Sequence, residues 1–165
     1  MNDSTLCLRG TSPQDPPVPE DERQLVMIVE DSELDARLLK RVLGRLRPEV
    51  NVVHSADGLA ALGALEDAGS RRPDLIIMDI RMPRMSGREA LVEIKNDARL
   101  RSIPVIMMST SKDDVDVTYC YDHHANAYVT KSFSTRDTET MENLVRFWLG
   151  TAKLPDETPP AAQSR

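Results

Sequence analysis

Three short runs in the chain are apolar at every position: LVMIV (25–29), LIIM (75–78) and PVIMM (104–108). A strand with one face in water alternates apolar and polar residues. Runs without alternation therefore call for burial on both faces. A sheet covered by helices on each side supplies that. The segments between the runs have helical spacing. Leu34, Leu38, Leu39, Val42, Leu43 and Leu46 form a stripe over 33–47 that stops near Pro48. Leu59, Leu62 and Leu65 mark a second helix over 57–68, with Gly69 as a stop. Ser86-Gly87 opens a third, with Leu91 and Ile94 on one face. A polar helix is expected over about 112–124. A last helix over 135–149 places Met141, Leu144, Val145, Trp148 and Leu149 on one broad stripe. Shorter runs, VNVV (50–53) and AYV (127–129), complete five strand–helix units. Right-handed crossovers make the sheet parallel. The expectation is an α/β, doubly wound (βα)5 sandwich of three layers, with its working crevice outside the carboxyl ends of the strands.

The flanks differ in kind. Pro13, Pro16, Pro17 and Pro19 fall in residues 1–23, and Pro155, Pro159 and Pro160 in residues 151–165. Such segments bury too little apolar area to offset the entropy of ordering. Residues 1–23 are therefore read as a disordered tail and 24–150 as the domain. Residues 151–165 are read as an extension, with GTAKLP (150–155) continuing the last apolar helix toward a dimer arm. At −6 the net charge argues against generic binding of nucleic acid. Cys7 and Cys120 make no metal pattern, and a reducing compartment fits them. No apolar run reaches the roughly 18 residues of a membrane helix, and no signal-peptide core is present. A cytoplasmic protein without membrane contact is expected.

Chemistry-bearing residues collect at the carboxyl ends of the strands. Glu30 and Asp31 follow the first strand, Asp79 the third, Ser109 and Thr110 the fourth, and Lys131 the fifth. If the first strand is central, three carboxylates, a hydroxyl and an ammonium share one rim. Asp79 is then expected at the mouth of its strand rather than buried within it. Crowded carboxylates raise one another's pKa. A hard divalent cation such as Mg2+ resolves the conflict and suits phosphate oxygens. A carboxylate beside it can act as a nucleophile and form an acyl phosphate.

VMIVEDS (26–32), DLIIMDIRMPRMSG (74–87), PVIMMST (104–110) and AYVTKS (127–132), in this order and spacing, resemble the receiver domain of two-component response regulators over residues 24–150. The resemblance implies a flavodoxin-like fold with strand order 2-1-3-4-5. It implies Asp79 as phosphoacceptor, and Mg2+ held by Glu30, Asp31, Asp79 and the backbone carbonyl of Arg81. Ser109 is implied as the switch hydroxyl, Tyr128 as the aromatic switch and Lys131 as the phosphate-contacting lysine. The partner implied is a histidine kinase. TSKDDVDVTYCYDHHANAYVTKS (110–132) and FWLGTAKLP (147–155) resemble the small regulators paired with phytochrome-type kinases. These have no output domain and dimerise through the last helix-strand-helix face. One departure stands out. The family usually places Pro after the lysine, often with a cis bond, where this chain has Ser132. A cis bond there would cost roughly 2.5–4 kcal/mol.

Other features read more locally. His123 and His124 point about 100° apart on a helix and lack further ligands, so a surface or helix-end role is expected. Phe147 is rotated away from the core stripe carrying Trp148. Phe147, Trp148, Leu149 and Leu154 are therefore the expected homodimer interface. Two other classes compete. A haloacid dehalogenase-type phosphatase needs a second acid two residues past the nucleophile, and here that residue is Arg81. A flavodoxin-like binding module needs a phosphate-cradling loop after the first strand, and EDSELD (30–35) is acidic.

Overall fold

The computed structural model describes Pro19, residues 23–131 and residues 136–155. The expected disorder of most of residues 1–23, Cys7, the bond to Ser132 and the end of the 151–165 extension lie outside the described residues.

Five parallel strands form one sheet in the order β2-β1-β3-β4-β5. They are β1 (Leu25–Val29), β2 (Asn51–Ser55), β3 (Leu75–Asp79), β4 (Val105–Ser109) and β5 (Ala127–Thr130). The helices are α1 (Glu33–Leu46), α2 (Gly58–Glu66), α3 (Gly87–Asn96), α4 (Asp114–Asp122) and α5 (Arg136–Arg146). Every residue of β1, β3 and β4 is buried, as their unbroken apolar runs require. The register pairs Met27 with Ile76 and Ile76 with Val105, so these three share a face. That face packs on Ala61, Ala90, Leu91, Ile94 and Cys120. The other carries Ile28, Ile77 and Ile106, and packs on Leu39, Val42, Leu43, Met141 and Val145.

Expectation and structure part at the edges. β2 runs to Ser55 and exposes Val53, because the outermost strand has less covering it. α4 starts later than expected, since Asp113 caps it by accepting from the Val115 amide at 3.0 Å. Leu34 and Leu59 lie near helix starts and stay out of the core, at 76% and 53% exposed. The last helix is regular only to Arg146. A wide π-type turn follows over Phe147–Thr151, closed by the Ala152 amide on the Phe147 carbonyl at 2.7 Å. The Arg47 guanidinium donates to the Leu149 carbonyl inside this turn. A cation there satisfies one of the carbonyls that a helix end leaves free. The turn seats Leu149 in the core, leaves Trp148 half-buried and Phe147 52% exposed. Among the described residues no helix is long and apolar enough to cross a membrane.

Cys120, fully buried on α4, has its thiol pushed up to about 11 by burial, with Arg88 pulling weakly the other way. In a Cys7→Ser background it should resist alkylation at pH 7 while folded and react fast once unfolded. The folded state favours the neutral thiol. Its stabilising contribution is complete below the unfolded thiol's pKa near 9 and is lost as pH rises toward 11. Rapid native labelling at pH 7 would contradict this.

Candidate functional site

The carboxyl ends of β1, β3, β4 and β5 form one rim. Glu30 leaves β1 fully covered, its amide on the Ser55 carbonyl at 3.0 Å and its own carbonyl 2.9 Å from the His54 ring. Asp31 follows and is exposed. Ser32 then caps α1 by accepting from the Asp35 amide at 3.3 Å. Asp79 stands at the mouth of β3, as expected, but the expectation that it escapes burial needs correction. It is the last residue of β3 and only 7% exposed. Its burial is tolerable because both oxygens are engaged. Oδ2 accepts from the Arg81 amide at 2.6 Å, and Oδ1 lies 2.6 Å from the Lys131 ammonium.

Lys131 follows β5 and is anchored there by its amide on the Ser109 carbonyl at 2.6 Å. Besides Asp79, its ammonium reaches Glu30 Oε2 at 2.6 Å and Asp35 Oδ2 at 3.1 Å. Burial would lower the pKa of this ammonium. Its hydrogen bonds to Asp79 and Glu30 outweigh burial and hold it above its ordinary value. Burial pushes the Glu30 carboxyl above its ordinary range, and Lys131 only partly offsets that. The group is an acidic pocket around one firmly charged cation.

Glu30, Asp31 and Asp79 each bring one carboxylate oxygen within 4.8 Å of the other two. Three hard oxygens, one of them on an exposed residue, suit a divalent cation that keeps some water. Arg81 gives its amide to Asp79, while its side chain is exposed. Ser109 ends β4 almost fully buried, whereas Thr110 is exposed. The Ser109 hydroxyl accepts from the Ser111 amide at 3.0 Å and also hydrogen-bonds the Tyr128 hydroxyl. Tyr128 donates its hydroxyl to the Ser111 carbonyl at 3.0 Å, which ties β5 to the loop after β4. His123 is a helix end, as expected. It caps α4, with Nδ1 2.8 Å from the Tyr119 carbonyl and its ring stacked on Tyr119.

The loop between β3 and α3 holds the rim from the other side. The Gly87 amide donates to the Ile80 carbonyl at 2.9 Å, and Ser86 and Glu89 form a reciprocal capping box. Arg84 adopts a left-handed φ of 63° and pairs with the buried Asp57 carboxylate at the start of α2. Sequence reasoning missed Asp35, Asp57 and Arg84. The S-x-x-D spacing of Ser32 and Asp35 marks a helix start but not a partner on β5. Nothing local joins Asp57 to Arg84. Of the expected interface residues, Phe147 is strongly exposed and Trp148 half-buried. Leu149 and Leu154 pack on the chain's own core.

The response regulator receiver domain family matches residues 26–143. Response regulator Rcp1 of Synechocystis sp. is 39% identical over 137 residues, covering 80% of this chain and 93% of that protein. The crystal structure of the phosphorylated cyanobacterial phytochrome response regulator RcpA is similar with a TM-score of 0.78 at 38% identity, covering 81% of this chain and 99% of that one. The Mn2+-bound form of Rcp1 follows with a TM-score of 0.77 at 37% identity, covering 81% and 99%.

Proposed function

Since the chain belongs to the response regulator receiver domain family, we propose that it accepts a phosphoryl group on Asp79 from the phosphohistidine of a histidine kinase. The observation that carries this is the Asp79 carboxylate, fixed between the Arg81 amide and the Lys131 ammonium at 2.6 Å each, beside two further acids. A freely rotating acid would spend entropy reaching the attack geometry; this one is already held. An Asp79 oxygen attacks phosphorus, the bond from phosphorus to the donor imidazole breaks, and the electron pair leaves with that nitrogen. Glu30, Asp31, Asp79 and the Arg81 carbonyl would hold Mg2+, which neutralises charge on the phosphoryl oxygens when bound. Lys131 turns an N–H from Asp79 to one of those oxygens. The buried Ser109 hydroxyl bonds another, and Tyr128 repacks behind it. The added charge biases the face formed by α4, β5 and α5.

Incubation with a small acyl phosphate and Mg2+ tests this. Stable acyl phosphate should form on wild type and fail by more than about a hundredfold on Asp79→Asn. Undiminished labelling of the variant, or multiple-turnover hydrolysis of varied phosphoesters, would defeat it. The role is that of a signalling phosphoacceptor in the cytoplasm rather than a metabolic enzyme. Output runs through protein contacts. The likeness to Rcp1 and RcpA supports a phytochrome-type kinase as the partner.

A homodimer through the α4, β5 and α5 face, with Phe147 and Trp148 at its edge, accompanies this reading. Phe147 exposes about half its surface and packs edge-on to Trp148 with ring centroids 5.3 Å apart. Phe147→Lys should halve the mass seen in light scattering, and an unchanged dimer mass counts against the interface.

A further inference from the structure

A lysine ammonium has three N–H donors. In Lys131 each meets a different carboxylate, at 2.6 Å for Glu30, 2.6 Å for Asp79 and 3.1 Å for Asp35. The first two belong to the converging acids already described; Asp35 does not. It lies in the first turn of α1, where an acid ordinarily folds back on the cap. Here it reaches across to the residue that follows β5. Its contact is the longest of the three. Its side chain is also the most exposed, at 23% against 2% for Glu30 and 9% for Asp79. Charge-assisted bonds weaken as they lengthen past about 2.9 Å, so this contact stays adjustable while the other two are firm.

We propose that Asp35 is a positioning residue that decides how much of the Lys131 charge reaches the phosphoryl group. The proposal rests on the phosphoacceptor reading of Asp79. Once Asp79 is an acyl phosphate, its oxygen no longer carries the charge that faced Lys131. The ammonium then divides itself between phosphoryl oxygens and the remaining acids. Held by Asp35, it is partly neutralised and attracts the phosphoryl group less. The same negative charge adds to the field that attracts a divalent cation. Asp35 therefore favours the cation and disfavours the phosphoryl group. A residue that merely supported the local fold would move both in the same direction.

Asp35→Asn in the full chain keeps the shape and an acceptor oxygen while removing the charge. Mg2+ alone is titrated by calorimetry. Beryllofluoride, a phosphoryl mimic, is then titrated by fluorine NMR at Mg2+ saturating for each protein. Mg2+ affinity should fall and beryllofluoride affinity rise, each by roughly threefold to tenfold for a partly screened charge. Asp35→Ser, a second uncharged variant, should repeat both signs. A fall in both affinities, no change in either, or the reverse pattern overturns the proposal. Wild type that binds neither probe would instead defeat the reading of Asp79, so the two failures are distinguishable.

Discussion

Lys131→Met is expected to lower phosphoryl acceptance by about a hundredfold or more and to destabilise the metal-free protein by about 3 kcal/mol. The two effects have one source. Lys131 is the cation that meets Glu30, Asp35 and Asp79 together, and its side chain is almost fully covered. Met fills similar volume without charge. Two of the acids it abandons are buried, and removing one partner of a buried ion pair typically costs about 3–5 kcal/mol. The lower end applies because Asp35 retains some solvent. The rate effect follows from losing a fixed positive charge where negative charge gathers in transfer. The decisive measurement is thermal melting with and without Mg2+. The cation relieves the repulsion that the variant suffers, so Mg2+ should raise the melting temperature of Lys131→Met by more than that of wild type. An equal or smaller rise in the variant would show that the ammonium does not balance these acids.

Gly87→Ala should cost at least about 3 kcal/mol, or roughly 10 °C in melting temperature. A Cβ at Gly87 would lie 2.0 Å from the Asp79 carbonyl oxygen, 3.0 Å from its carbonyl carbon and 3.1 Å from the Ile80 Cα. All three are backbone atoms, so no side chain can swing aside. The start of α3 must lift from the end of β3 and stretch the bond from the Gly87 amide to the Ile80 carbonyl. That movement displaces the residue that is to accept the phosphoryl group, so acceptance should fall along with stability. Gly44 and Gly63 are the controls. Both sit within helices with open space where a Cβ would go. Alanine there should stabilise by about 0.5–1 kcal/mol. Differential scanning calorimetry of the three variants checks the contrast, and a Gly87→Ala protein as stable as wild type would refute the close-packing account.

How far the sequence led depends on the range of the interaction that settles each feature. β1 and α3 could be read because their signals are local: an unbroken apolar run, and a Ser-Gly start with Leu91 and Ile94 on one face. Glu30 and Asp79 could be placed at strand ends because each follows such a run directly. α5 could not be read to its end. Its regular turns stop at Arg146, where Arg47 donates to a carbonyl 102 positions away in sequence. Leu34 and Leu59 kept the helical period yet missed the core, since periodicity gives a side chain's direction but not the height at which its helix leaves the sheet.

The sequence by itself determined a doubly wound parallel sheet, its three central strands and an acidic rim built around Asp79. Burial on both faces and helical spacing are properties of consecutive residues, and they survive in the linear order. Only the tertiary structure decided how that rim is neutralised. It brought Lys131 onto Glu30 and Asp35, 101 and 96 positions earlier, and it clamped Arg84 on Asp57. An ion pair depends on distance in space, and here that distance is set by where β1, β3 and β5 end beside one another.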